Sequence, residues 1–188
     1  TGKPVIISTG MATEQELRET VAEALKAGCQ DLILLKCTSA YPASPKEANL
    51  LTIPDMREKF GTQIGLSDHT IGIGVAVSAV TLGATVVEKH FTLDRKTGGV
   101  DSAFSMEPDE MKSLVLETER AWQALGEVRY EPTSTEQASL PHRRSLYIVK
   151  DLRAGEKLTR ENLRAIRPGL GLPPKHLYSL LGKRVKRE

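Results

Sequence analysis

The chain of 188 residues is long enough for one ordinary domain, or for one domain and a smaller second one. Its 39% hydrophobic and 27% charged residues exclude wholesale disorder, and no apolar run approaches the ~20 residues of a membrane helix, so no membrane partner is expected. A net charge of +2 and an aromatic content of 4% give no reason to expect nucleic-acid binding. Two cysteines are too few for a disulfide framework, so we expect a reduced, cytoplasmic setting.

The first unit of the chain is predicted to be a strand followed by a helix. Residues 4–8 (PVIIS) are the strand. Thr13 and Glu16 have the spacing of a capping box, and Gly28 is placed to end the helix that they begin. Apolar side chains that recur every fourth residue share one face of this helix: Leu17, Val21 and Leu25.

Three further units of the same kind follow. Their predicted strands are 32–35, 63–67 and 84–89, and their predicted helices are 47–60, 73–82 and 108–125. Pro54 is expected to interrupt the first of these helices. The last has an apolar stripe that is expected to face inward: Met111, Leu114, Val115, Thr118, Trp122 and Leu125.

Strands that alternate with helices predict an α/β fold with parallel pairing. Four such units fit either half of an eight-unit barrel or a small doubly wound sheet. In a barrel the chemistry lies on the loops that follow the strands. The unusual polar clusters of this sequence all lie in those loops: 8–10, 37–39, 67–69 and 90–92.

The end of the chain is predicted to form a second, smaller domain. Residues 127–142 are polar, contain Pro132 and Pro141, and are typical of a linker between residues 1–126 and 143–188. In the small domain we expect strands at 145–149 and 163–167, with about one helical turn beginning at Thr159.

His69 and His90 are the strongest candidates for chemistry. Each directly follows a predicted strand, so both should lie at the same rim of a parallel sheet. Neutral imidazole is a common ligand of divalent cations, and two such ligands leave positions open for substrate oxygens. The alternative is that each ring only hydrogen-bonds a loop carbonyl.

Serine hydroxyls also follow the strands. Ser8, Ser39 and Ser67 could bind a phosphate or carboxylate, although capping and turn formation are equally good explanations of each.

Acidic and thiol groups complete the candidates. Glu88 and Asp68 neighbour the histidines, and Glu88 should face the same side as His90. Such a carboxylate could orient the ring of a metal-binding histidine, or it could instead form a buried salt bridge with a basic side chain. Asp101 lies in a loop that overhangs the proposed rim. No histidine or other base is paired with Cys37 in the sequence, and Cys37 ends a buried strand, so we interpret it as a small core residue rather than a nucleophile.

Several segments of the chain resemble the sialic acid synthase family, whose members make nine-carbon 2-keto acids from phosphoenolpyruvate. These segments are residues 7–11 (ISTGM), 36–42 (KCTSAYP), 65–70 (GLSDHT) and 87–94 (VEKHFTLD). Residues 144–147, 166–168 and 181–183 resemble the antifreeze-like SAF domain of that family. Residues 37–42, 101–105 and 167–172 are similar to the pseudaminic acid synthase branch.

The resemblance implies the second half of a TIM (β/α)8 barrel followed by a small SAF, or β-clip, domain. The lysines that hold phosphate and the proposed acid/base glutamate of the family lie in the first half. The SAF-like segment is also shorter than the family's, so the sequence is expected to be a piece of a longer protein that could be inactive alone.

The resemblance also implies roles for individual residues. His69 and His90 become metal ligands and, with Asp101, catalytic residues. Residues implied to bind the substrates are Ser8, Ser39 and Ser67 for phosphoenolpyruvate, and Tyr41, Asp101 and Arg167 for the acceptor sugar. Arg167 is expected to reach the active site of the partner subunit, which implies a homodimer.

The implied reaction condenses phosphoenolpyruvate with an N-acetylated aldose, 2,4-diacetamido-2,4,6-trideoxy-altrose, and releases phosphate. The implied cofactor is Mn²⁺, with Mg²⁺ or Co²⁺ as alternatives. An N-acetylneuraminate synthase that uses N-acetylmannosamine is the alternative within the family. A non-catalytic binding or assembly module is the alternative from another class, and an unrelated metal aldolase is a weaker third.

Overall fold

The computed structural model describes residues 2–187, and the chain divides into two compact units, one ending at Glu127 and the other beginning at Val128. The first unit alternates strands and helices as predicted: β1 Val5–Ser8, α1 Glu14–Lys26, β2 Leu32–Cys37, α2 Thr52–Phe60, β3 Gln63–Asp68, α3 Gly74–Thr81, β4 Val87–Lys89 and α4 Pro108–Leu125. Its short 3-10 helices are Pro45–Glu47, Arg95–Thr97 and Ser102–Phe104.

The four strands form one parallel sheet in the order β1-β2-β3-β4. A doubly wound sheet reverses its strand order at a switch point, whereas a barrel keeps the order of the chain. The observed order therefore decides between the two architectures left open by the sequence, and confirms an α/β half-barrel.

The first helix begins as its sequence predicts. The Thr13 hydroxyl accepts a hydrogen bond from the Glu16 backbone N–H, and the Glu16 carboxylate accepts one from the Thr13 backbone N–H. Leu17 and Val21 are buried, whereas Leu25, on the same face of the helix, is 52% exposed. The helix ends at Lys26, and Gly28 has the positive φ of 86° that glycine adopts without strain.

The prediction that Pro54 interrupts the second helix is wrong. Pro54 is the third residue of α2, in the first turn, where a backbone N–H has no partner within the helix. A proline there removes no intrahelical bond, so α2 runs on to Phe60 and ends at Gly61 in the left-handed conformation.

The prediction for α4 is confirmed in its bounds and wrong in part of its buried face. Leu114 is buried and Met111 packs against the core, whereas Val115, Trp122 and Leu125 are between 50% and 67% exposed. The predicted strand at 84–89 is also shorter than expected. Only Val87–Lys89 is regular strand, and β4 pairs with β3 alone among the strands that the structure describes.

The two faces of the parallel sheet differ in character. One face carries the apolar core against the helices, with Leu34, Ile64 and Leu66 at its centre. Side chains alternate along each strand, so the opposite face carries Ser67, Glu88 and, at one edge, Ile6, which is 53% exposed. That open face is the one that the imidazoles share.

The second unit is built around an antiparallel pair, β5 Ser145–Ile148 and β6 Leu163–Ile166. It also contains a short helix, α5 Leu177–Leu180, and 3-10 helices at Gln137–His142 and Pro174–His176. The helical turn predicted to begin at Thr159 is present as a single turn, in which the Leu163 N–H donates to the Thr159 carbonyl oxygen at 2.9 Å and the Thr159 hydroxyl accepts from the Glu161 N–H. Across residues 2–187, no helix has the length and apolar character needed to cross a membrane.

Candidate active site

The two predicted histidines come together at the carboxyl ends of β3 and β4. The ring centroids of His69 and His90 are 5.2 Å apart, with 62° between their planes. Ser67 and Glu88 are partners in the sheet register, and each histidine lies two residues beyond one of them. Alternation along the strands therefore aims both rings at the open face of the sheet.

His69 is held in one orientation by the loop after β2. Its Nδ1 lies 2.9 Å from the Thr38 carbonyl oxygen, and its own carbonyl accepts a hydrogen bond from the Ala43 N–H. Because a carbonyl can only accept, Nδ1 carries the proton and Nε2 keeps its lone pair. His69 is thus fixed in the tautomer that ligates a cation through Nε2.

Asp101 is the carboxylate that faces His90. Its Oδ2 lies 3.5 Å from His90 Nδ1, which favours a proton on that nitrogen and again leaves Nε2 open. The Ser105 hydroxyl and N–H both donate to the Asp101 carbonyl oxygen, which fixes the loop. The prediction that Asp101 overhangs the rim agrees with this contact.

Two aromatic side chains form a wall beside the imidazoles. The Tyr41 ring lies 4.3 Å from that of His69 and 6.0 Å from that of His90. Phe104 lies 5.0 Å from His90 and 5.8 Å from Tyr41. Sequence reasoning missed Phe104, although its position three residues after Asp101 in the overhanging loop was a usable signal.

The predicted serines are placed differently from one another. The buried Ser67 hydroxyl donates to Glu88 Oε1 at 2.7 Å, so Glu88 orients this serine. Among the described residues, Glu88 makes neither the predicted contact with the His90 ring nor a buried salt bridge. Ser39 lies against Gly10, where an added Cβ would stand 2.1 Å from the Ser39 hydroxyl oxygen. Ser8 is exposed at the end of β1.

Cys37 has a histidine beside it that the sequence does not reveal. Its Sγ is 3.9 Å from His69 Nδ1 and 3.9 Å from the Ser39 hydroxyl oxygen. The contact with His69 joins the ends of two strands and appears only when the sheet forms. The interpretation of Cys37 as a core residue therefore missed its place in the site.

A lysine fixes the loop that holds His69. Lys36 Nζ donates to the Thr38 hydroxyl oxygen at 2.7 Å and to the Cys37 carbonyl oxygen at 3.2 Å. Burial lowers the pKa of the Lys36 ammonium below its usual value, because the charged form loses hydration.

The two imidazoles fit a divalent cation whose remaining coordination positions are filled by other ligands. In the described part of the chain, no three His, Cys, Asp or Glu side chains converge in a way that could hold a metal by themselves. Two neutral imidazoles with open Nε2 atoms do fit a site that takes its other ligands from water or substrate oxygens.

Arg167 belongs to the second unit and follows β6. It lines an open groove of about 730 Å³, and no acidic side chain lines this groove among residues 2–187. The other arginines of this groove are Arg144, Arg160 and Arg164. Guanidinium groups in this number favour an anionic or strongly polar partner.

Comparison with known proteins agrees with this geometry. Residues 1–130 match the NeuB family, and residues 143–188 match the SAF domain. A pseudaminic acid synthase from Helicobacter pylori is 42% identical over 100% of this chain and 55% of its own length. An N,N'-diacetyllegionaminic acid synthase from Legionella pneumophila is 40% identical over 97% of this chain and 52% of its own length.

A solved structure is also similar to this chain. The N-acetylneuraminic acid synthetase from Leptospira borgpetersenii, in complex with citrate, has a TM-score of 0.67 and 40% identity. The match covers 74% of this chain and 48% of that one. The chain spans about half the length of the curated relatives that it matches.

Proposed function

Since the chain belongs to the NeuB family, we propose that it forms the carbonyl-activating part of a pseudaminic acid synthase. The reaction joins C3 of phosphoenolpyruvate to the aldehyde carbon of open-chain 2,4-diacetamido-2,4,6-trideoxy-altrose. Water adds at C2 and phosphate leaves by cleavage of the C–O bond.

The proposal depends above all on the pair formed by His69 and His90. Their rings meet 5.2 Å apart at adjacent strand ends, and an acceptor faces Nδ1 of each. His69 and His90 would hold a divalent cation, Mn²⁺ first and Mg²⁺ or Co²⁺ as alternatives, and the chemistry it would supply is polarisation of the aldehyde carbonyl. Asp101 and the Thr38 carbonyl hold the rings in the ligating tautomer.

The serines around the imidazoles are proposed to hold phosphoenolpyruvate. Hydroxyl groups of Ser8 and Ser39 can donate to its carboxylate or phosphate oxygens. The Ser67 hydroxyl already donates a hydrogen bond to Glu88, so it must rotate away from that carboxylate to donate to a substrate anion. Binding of phosphoenolpyruvate therefore has to break the hydrogen bond between Ser67 and Glu88.

The aromatic wall is proposed to receive the acceptor sugar. Tyr41 is 56% exposed and stands over both imidazoles, where its ring can pack on the 6-deoxy end and its hydroxyl can meet an acetamido group. In a cytoplasmic homodimer, Arg167 of one copy would contact the sugar bound by its partner. Support for that role is the arginine-rich groove.

Two other functions remain as candidates. An N-acetylneuraminate synthase that uses N-acetylmannosamine is favoured by the likeness to the Leptospira structure. A non-catalytic assembly module is favoured by the half-length match to the relatives.

A comparison of acceptors tests the proposal. The folded chain with Mn²⁺ is expected to bind the 2,4-diacetamido-2,4,6-trideoxy sugar more tightly than N-acetylmannosamine. Binding of each sugar is measured by calorimetric titration, with Mn²⁺ omitted as the control. Tighter binding of N-acetylmannosamine would support the first alternative, and a folded chain that binds neither Mn²⁺ nor either sugar would support the second.

A further inference from the structure

A buried ion pair lies directly behind the two imidazoles and has no part in the proposed chemistry. Lys89 Nζ is 2.9 Å from Asp68 Oδ2, and both side chains are 2% exposed. Each residue comes immediately before one of the histidines in the chain. Since side chains alternate along a strand, the ion pair lies on the helix side of the sheet and the imidazoles on the other.

The ammonium of Lys89 is bonded to the chain on both sides of His69. It donates to Asp68 Oδ2 before that histidine, and to the Thr70 and Gly72 carbonyl oxygens after it, at 2.7 and 2.9 Å. Asp68 Oδ1 accepts from the Thr70 N–H at 2.9 Å. All three protons of one lysine beside His90 therefore fix the backbone that carries His69.

The strand pairing alone is a weak determinant of this geometry. The regular part of β4 is three residues long, and its register with β3 consists of three partner pairs, the last of which is Asp68 with Lys89. A slip of one residue in this short pairing would turn a histidine to the opposite face of the sheet. A side-chain bond at that final pair opposes such a slip.

Stability alone is a poor reason for this pair. A buried ion pair costs desolvation, and replacing one with apolar side chains of similar volume is often neutral or stabilising. Its bonds to Thr70 and Gly72 give it a second effect, which is to restrict where His69 can lie relative to His90.

We propose that Asp68 and Lys89 are positioning residues, whose buried ion pair locks the ends of β3 and β4 so that His69 and His90 meet. The metal readout of this inference rests on the proposed function. The positions of the rings themselves can be measured without metal.

The main test is the double variant Asp68→Asn with Lys89→Met in the full chain. Neutralising both partners leaves no unpaired buried charge, so the variant should fold, while the bonds to Thr70 and Gly72 are lost. We expect the dissociation constant for Mn²⁺ to rise by roughly 10–100-fold, the loss typical of removing groups that orient metal ligands. Asp68→Asn alone leaves the Lys89 ammonium buried without its carboxylate, so it should be less stable than the double variant, but it keeps the bonds to Thr70 and Gly72 and should weaken Mn²⁺ binding by a smaller factor.

Lys59→Gln is the matched control. It removes an ion pair with Glu14 at 2.7 Å on the surface, and Mn²⁺ affinity should stay within about twofold because exposed pairs contribute little. Lys89→Arg, in a chain that keeps Asp68, retains the charge and the donors. Its affinity for Mn²⁺ should therefore lie between that of the double variant and that of the original chain. A folded double variant that binds Mn²⁺ as the original chain does would overturn the proposal.

Nitrogen NMR of the metal-free chain separates this inference from the proposed function. In the original chain His69 should show one Nδ1-protonated tautomer. In the double variant, or in Asp68→Asn with Lys89→Gln if the double variant does not fold, His69 should show a mixture of tautomers. Unchanged imidazole shifts in these variants would overturn the positioning role. Absence of Mn²⁺ binding by the original chain, with altered shifts in the variants, would contradict the proposed function and support the positioning role.

Discussion

Replacing His69 with alanine will raise the dissociation constant for Mn²⁺ by at least about 100-fold. Loss of a group that only hydrogen-bonds a metal ligand costs up to about 100-fold in metal affinity, and loss of the ligand itself should cost at least as much. The chain offers two imidazoles to the cation, so the variant retains one. Calorimetric titration of Mn²⁺ into the full chain and into His69→Ala measures the change directly.

Two further variants separate ligation from folding. His69→Asn retains a side-chain donor that can bond the Thr38 carbonyl oxygen in place of Nδ1, but it has no counterpart of Nε2. It should fold well and bind Mn²⁺ as weakly as His69→Ala, through His90 alone. His142 is exposed in the second unit, and His142→Ala should leave the affinity unchanged. Equal binding by all three variants would show that His69 is not a ligand.

Replacing Leu34 with alanine will lower the free energy of unfolding of the first unit by about 2–5 kcal/mol, the usual cost of a cavity in a packed core. Leu34 is 0% exposed and lies in β2, between β1 and β3. The loss combines apolar area returned to water with contacts that the neighbouring side chains cannot re-form. Urea unfolding followed by circular dichroism gives the change in the free energy of unfolding.

Leu51→Ala is the comparison for this prediction. Leu51 is 75% exposed, so its truncation should change the free energy of unfolding by less than about 0.5 kcal/mol. If the two variants lost equal stability, the core would not be centred on the helix face of the sheet as described.

The sequence predicts best what is decided locally. The capping box at Thr13 and Glu16 and the start of α4 at Pro108 depend on neighbouring residues and are found as expected. The error at Pro54 has a local cause too, because the start of α2 at Thr52 carries no side-chain cap that would have placed the proline in the first turn.

Burial and tertiary contacts are predicted less well, because they depend on what packs against each element. Trp122 lies on the apolar stripe of α4 yet is 67% exposed, since periodicity identifies a face but not the element that covers it. The position of both histidines after strands correctly predicts that they meet. Their contacts with Cys37 and Phe104, and the ion pair behind them, arise from register and loop conformation.

The central claim is that His69 and His90 bind one divalent cation through Nε2. Pulsed electron paramagnetic resonance of Mn²⁺ bound to the full chain, with its histidines labelled with ¹⁵N, measures the coupled nitrogens directly. Our account predicts couplings to two imidazole nitrogens, one of which disappears in His69→Asn. A spectrum of bound Mn²⁺ with no imidazole coupling would contradict it.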